Sequence, residues 1–197
     1  DTLGIRPNQR VLDIACGSLR LGKLLIPYLE QNCYLGLDKS RRLIESGWVA
    51  ELDDFARSRL PRFVTSDSFE FELFEQLRLE QPPEISVAFS LLTHLNSTDI
   101  SLLLQRLQRL VAGSPVPHRF FASVRLLDKA AGVDGVPLPR NLVLTEESSA
   151  MNRFYFSLQD LRDLAEPLGW TVEVPARTSF LDALTARGQR LVVFRAA

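Results

Sequence analysis

The chain is poor in the features that announce a secreted, membrane-bound or nucleic-acid-coating protein. It has only two cysteines in 197 residues, Cys16 and Cys33, both in apolar, strand-like stretches. Such placement predicts buried free thiols rather than a bridge or a metal pair, as expected in a reducing cytoplasm. No apolar run approaches the ~20 residues that a membrane helix needs. No basic, apolar, small-residue leader is visible either, so no export signal of that type is expected. Charge of one sign is not concentrated anywhere: the formal net charge is -1 and no long basic run occurs. A nucleic-acid partner is therefore not expected on general electrostatics. Repeats and low-complexity tracts are absent too.

What remains is an ordinary globular composition, 46% hydrophobic and 24% charged, in a length suited to one domain with a full core. Asp1 stands close before the first strand, which begins at Arg10, as expected of a piece cut from a longer polypeptide.

Short apolar runs alternate with amphipathic stretches, the pattern of βα units around a largely parallel sheet. Strands are expected at residues 10–15, 34–37, 62–65, 85–89 and 119–125. The first helix is expected to bury Leu21, Leu24, Leu25, Tyr28 and Leu29, shortened or kinked by Pro27, and the second to bury Ile44, Trp48, Leu52 and Phe55. A later helix, capped by Ser97 or Thr98, carries Ile100, Leu103, Leu104, Leu107 and Leu110 on one side and stops at Gly113 and Pro115. Residues 127–153 lose all periodicity and contain Gly132, Gly135, Pro137 and Pro139, which predicts a long loop or lid. A last helix follows with Ser157 as N-cap and Gly169 as terminator. Strands at 170–174 and 190–194, with no helix of useful length between them, should form an antiparallel hairpin. The fold class that results is α/β: a three-layer Rossmann-like sandwich with a mostly parallel seven-stranded sheet and a C-terminal antiparallel hairpin, one domain over 1–197.

The most informative stretch is Val11-Leu-Asp-Ile-Ala-Cys-Gly-Ser-Leu-Arg-Leu-Gly22, a strand, a small-residue turn and a helix start. Gly17 lacks a Cβ and lets a ligand lie against the backbone, where free amides face a polar group. Asp13 can accept a hydrogen bond from an ammonium group or a water. Asp38 ends the second strand 21 residues after Gly17, the spacing at which an acid accepts ribose hydroxyls; the competing reading is a helix cap through Ser40 and Arg41. Leu19 is expected to be right-handed, since a positive φ there costs about 1–2 kcal/mol. Arg20 can donate to a carboxylate or stand solvated on the surface.

These motifs resemble class I S-adenosylmethionine-dependent methyltransferases over nearly the whole chain. The resemblance implies that Asp13, Ala15, Gly17, Ser18 and Arg20 surround the methionine part of S-adenosyl-L-methionine, although Ala15 and Leu19 stand where the family commonly has glycine. It implies that Asp38, with its neighbour Lys39, takes the ribose. Thr65-Ser-Asp-Ser-Phe69 resembles the segment that reads the adenine edge, through Asp67, Ser68 and Phe69. Phe89-Ser-Leu-Leu-Thr-His-Leu95 resembles the wall of the methyl-transfer site, with Ser90 and Leu91. The closing hairpin is also what this family adds to its sheet, whereas an NAD-dependent dehydrogenase continues with parallel strands.

His94 is the candidate general base, at the sheet's carboxyl edge, against a purely structural role. His118 is expected at the opposite edge as a surface residue. Asn152, Arg153 and Tyr155 are candidate acceptor-side residues, with core packing the competing reading for Tyr155 and Phe156. The expected activity is methyl transfer to a small-molecule hydroxyl or amine, with no metal. The alternative is a catalytically silent cofactor-binding or interaction domain of a larger protein.

Overall fold

The computed structural model describes residues 3–77, 81–127, 143–144, 153–175 and 188–196. Central strands buried on both faces read as largely apolar runs, as do β1 (Val11–Ile14), β4 (Ile85–Ala88) and β5 (Arg119–Val124), with Asp13, Ser86 and Ser123 as buried polar exceptions. With β2 (Tyr34–Asp38), β3 (Arg62–Thr65), β8 (Trp170–Glu173) and β9 (Arg190–Ala196) they form one seven-stranded sheet. Its order is β3-β2-β1-β4-β5-β9-β8. Pairing is parallel from β3 through β5, and β9 lies antiparallel to both β5 and β8. A separate two-stranded piece joins β6 (Val143–Leu144) to β7 (Arg153–Phe154). The remainder of the expected 127–153 loop lies outside the described residues.

Helices cover both faces. On one side α1 (Gly22–Tyr28), α2 (Arg41–Glu51) and α3 (Asp54–Ser58) bring Ile26, Ile44 and Ala56 against Val11, Ile85 and Val87. On the other, α4 (Ser97–Val111) and α5 (Leu158–Ala165) place Leu103, Leu107 and Leu161 against Leu12, Phe120 and Phe194. Ser157 caps α5 in a reciprocal box with Asp160, and Gly169, at φ +79°, ends the turn that follows. The cysteines are free.

Three local expectations are corrected. In α1 the buried face is Gly22 and Ile26, continued by Leu29, while Leu24 and Tyr28 are exposed. Tyr28 instead sends its hydroxyl to the carbonyl of Ile5 at 2.7 Å. Phe55 is exposed, because α2 ends at Glu51 and Asp53 caps a new helix, which turns Ala56 inward. Asn96, rather than Ser97 or Thr98, caps α4, accepting from the amide of Asp99 at 2.9 Å.

His118 is the largest departure. It does stand at the amino edge, but it is 1% exposed and not on the surface. Trp170 packs edge-on against it at 6.0 Å, Nδ1–H donates to the carbonyl of Pro83 at 2.8 Å, and Nε2 accepts from the Ser86 hydroxyl at 3.0 Å. Burial lowers its pKa to about 4, so the ring is neutral at pH 7.

Candidate active site

The chain leaves β1 outward to β2 and β3, then returns to the other side of β1 to form β4. The carboxyl ends of β1 and β4 therefore flank a topological switch point, where open α/β sheets place their ligands. Most of the predicted site residues converge on that edge.

The turn after β1 carries positive φ at three alternate residues: Ala15 at +61°, Gly17 at +54° and Leu19 at +60°. Leu19 is thus left-handed, contrary to the expectation above. Its fully buried side chain and the close seat of α2 outweigh the conformational cost. Gly47 in α2 makes this seat: a Cβ there would stand 2.5 Å from the backbone carbon and oxygen of Ser18. A glycine inside a helical pattern was the available sequence signal for Gly47. Ser90 after β4 and Phe69 after β3 are also left-handed, at +62° and +60°. Asn32 and Leu60, before β2 and β3 at the opposite edge, are left-handed as well, so four of the six such non-glycine residues described lie on this edge.

Asp38 closes β2 and is nearly fully buried. Its Oδ2 accepts the Gly17 amide at 2.8 Å and its Oδ1 accepts the Ser40 amide at 2.8 Å. Both readings of Asp38 therefore meet in one side chain: it steadies the entry to α2 and it fastens the glycine turn. Each carboxylate oxygen keeps further acceptor capacity. In front of Gly17 a Cβ would meet no atom nearer than 4.0 Å, so the turn presents an open backbone face beside a carboxylate.

Asp13 lies one layer beneath. Its Oδ2 accepts the Tyr34 hydroxyl at 2.7 Å. Desolvation pushes its pKa up to about 7, opposed by that hydrogen bond and aided by the charge of Asp38. Tyr34, which the sequence reading did not single out as a site residue, is buried and also touches the start of α1, where a Cβ on Gly22 would stand 3.0 Å from its hydroxyl.

The remaining predictions are distributed along the same edge. Ser18 is half-buried in the turn, while Arg20 and Lys39 are exposed. Beyond β3, Asp67 is exposed and Ser68 and Phe69 are half-buried. That turn is tied by buried Ser66, whose hydroxyl accepts the amides of Ser68 and Glu70 and whose own amide donates to the Asp38 carbonyl at 3.1 Å. Leu91 follows Ser90, and His94 is exposed at the end of a short 3-10 turn, Leu92–His94. Phe156 belongs to the core, whereas Tyr155 is half-buried against Arg125. Asn152 and the side chain of Arg153 lie outside what is described.

No family model and no curated protein sequence matches the chain. Solved structures do. Magnesium protoporphyrin IX methyltransferase (ChlM) from Synechocystis PCC 6803 with bound SAM is 14% identical; the match covers 100% of this chain and 74% of that one at a TM-score of 0.63. The glycopeptide N-methyltransferase MtfA complexed with (S)-adenosyl-L-homocysteine is 16% identical, over 98% and 84% of the two chains, at 0.66. A putative O-methyltransferase from Nostoc punctiforme PCC 73102 is 13% identical, over 98% of this chain and 54% of its own, at 0.62.

The fold is that of the class I S-adenosylmethionine-dependent methyltransferases. Within the methyltransferase fold, the Gly17 turn, Asp38 and the turn at 66–70 occupy the ends of the first three parallel strands. Among the described residues no helix is long and apolar enough to cross a membrane, and no cluster of three or more His, Cys, Asp or Glu could hold a metal ion.

Proposed function

We propose that the chain binds S-adenosyl-L-methionine along the carboxyl ends of β1, β2 and β3 and transfers its methyl group to a hydroxyl or amine of a small molecule. One observation carries the reading: the Gly17 amide bonded to Asp38 in a turn whose open backbone face no side chain fills. The three left-handed residues keep a glycine-like path even where Ala15 and Leu19 replace glycine.

The assigned roles follow from chemistry. Asp38, still able to accept, takes the ribose hydroxyls, with Lys39 beside it. Asp13 and the turn Ala15–Ser18 receive the amino-acid end, and Arg20 donates to its carboxylate. Asp67, Ser68 and Phe69 border the adenine, and Ser90 and Leu91 border the methyl group.

Bound S-adenosyl-L-methionine supplies an already activated methyl group on a sulfonium. The protein's task is therefore alignment and desolvation rather than activation. The acceptor's oxygen or nitrogen forms the new bond to carbon, the carbon–sulfur bond breaks, and its electron pair stays on sulfur as a neutral thioether. The acceptor's proton leaves to a base, for which His94 is the candidate.

The experiment is a titration with S-adenosyl-L-methionine followed by methyl-labelled cofactor offered to fractionated small-molecule pools. Binding with label transfer supports the reading. Binding without transfer to any pool favours a silent cofactor-binding domain, and no binding removes both.

A further inference from the structure

The carboxyl edge also holds a cation that no carboxylate accompanies among the described residues. Arg125 directly follows β5, whose last residue, Val124, pairs with Arg190 at the start of β9. It therefore stands beside the approach to β9, and a Cβ on Gly188 would lie 3.9 Å from its Nη1. Nη1 donates to the Tyr155 hydroxyl at 3.0 Å, and the guanidinium sits 5.5 Å from the centre of the Tyr155 ring. Nε is buried and has no acceptor. Among the described residues no carboxylate reaches Arg125 within ion-pair distance.

A desolvated guanidinium donor with nothing to bond is costly, and an acceptor brought by a ligand removes that cost. Unpartnered Nε atoms occur on Arg10, Arg57 and Arg59 as well. Those three precede β1 and β3 and so belong to the amino side of the sheet, away from the candidate site.

Tyr155, Gln189, Ser90 and Ser123 are polar and uncharged, while Arg190, paired with Val124, is charged and exposed. Gln189 is buried with its amide nitrogen 3.2 Å from the Ser90 hydroxyl, and the Ser90 amide donates to the Ser123 hydroxyl at 2.6 Å. This chain of contacts leads from the strained end of β4, beside the proposed methyl group, to the entry of β9 next to Arg125. A planar guanidinium fork backed by an aromatic ring matches a carboxylate. A phosphate dianion calls for more positive charge than Tyr155, Gln189, Ser90 and Ser123 provide.

We propose that Arg125, backed by Tyr155, binds a carboxylate carried by the methyl acceptor, so that the acceptor is a small carboxylic acid. The proposal rests on the methyl-transfer reading for the word acceptor, but not for the anion site itself.

The test titrates benzoate, and separately benzamide, into the protein saturated with S-adenosyl-L-homocysteine. Wild type binds benzoate and not benzamide. R125Q binds benzoate at least tenfold more weakly, while R125K, which keeps the charge, recovers part of the affinity. Both variants retain the wild-type affinity for S-adenosyl-L-homocysteine. Equal benzoate affinity in R125Q and wild type, equal binding of benzamide, or no benzoate binding at millimolar concentration overturns the proposal. Should R125Q fail to fold, the comparison of R125K with wild type and of the two probes still decides. Arg125-dependent benzoate binding without S-adenosyl-L-homocysteine binding would leave the anion site standing and remove the methyl-transfer reading. The reverse result removes the anion site alone.

Discussion

Gly17 and Asp38, 21 residues apart, are joined by a 2.8 Å hydrogen bond from backbone amide to carboxylate. The bond ties the end of β1 to the end of β2, so the glycine turn and the acid form one wall rather than two independent features. The second oxygen of Asp38 fastens the Ser40 amide at the mouth of α2. A substitution in any of these three places is therefore felt by the other two.

Gly47 tests the seat of that wall. A Cβ at position 47 meets the backbone of Ser18 at 2.5 Å, and backbone cannot swing aside as a side chain can. Gly47→Ala is expected to lower unfolding stability by about 1–3 kcal/mol, the range for overpacking, despite alanine's better helix propensity. It should also weaken cofactor binding. Urea unfolding checks the first effect; a gain in stability would show that α2 does not press on the turn.

Ala15 and Leu19 share a backbone conformation but not a surrounding. Ala15→Gly relieves left-handed strain with no large side chain lost, and should stabilise by up to about 1 kcal/mol once glycine's greater unfolded-state freedom is counted. Leu19→Gly relieves the same strain but empties a fully buried position, and should destabilise by more than about 2 kcal/mol. Denaturant midpoints of the two variants, moving in opposite directions, are the expected result.

Two buried titrating groups pull stability in opposite directions with pH. Asp13 has a folded pKa of about 7 against an ordinary carboxyl value of 3.8. The folded state thus holds a proton that the unfolded state has lost, and stability falls as pH rises through that window. His118 has a folded pKa of about 4 against 6.5, so the unfolded state holds the extra proton and stability falls as pH drops from 6.5 towards 4. Near pH 5–6 the two slopes, each up to about 1.4 kcal/mol per pH unit, offset one another. Asp13→Asn should make stability rise more steeply with pH than in wild type, and His118→Gln should make it fall. Unfolding free energies at several pH values from 4.5 to 7.5 check both signs.

The parallel sheet and the closing hairpin were legible because buried parallel strands are written as largely apolar runs, and the stretch between β8 and β9 contains no helical period; the order of the strands was not. The Gly17–Asp38 pair was legible from spacing. Other features were not, for local reasons. Leu19 gives no sign in sequence of a left-handed backbone; its full burial and the approach of Gly47 from another element are set by packing far along the chain. His118 looks like a polar residue at a strand start, and its burial comes from Trp170, far away in the chain. Phe55 has the right period for the α2 face, but Asp53 restarts the helix and breaks the phase. Tyr34 reads as an ordinary strand aromatic until Asp13 is seen beneath its hydroxyl.

The most direct measurement is calorimetric titration of S-adenosyl-L-homocysteine into wild type and Asp38→Ala, with thermal melts of both. The account predicts saturable binding to wild type and a loss of about 1.5–3 kcal/mol in the variant, the range for hydrogen bonds to a charged group. It also predicts a folded variant with a lower melting temperature, because the Gly17 and Ser40 amides lose their acceptor. No heat with wild type, or one dissociation constant shared by both proteins, would contradict it.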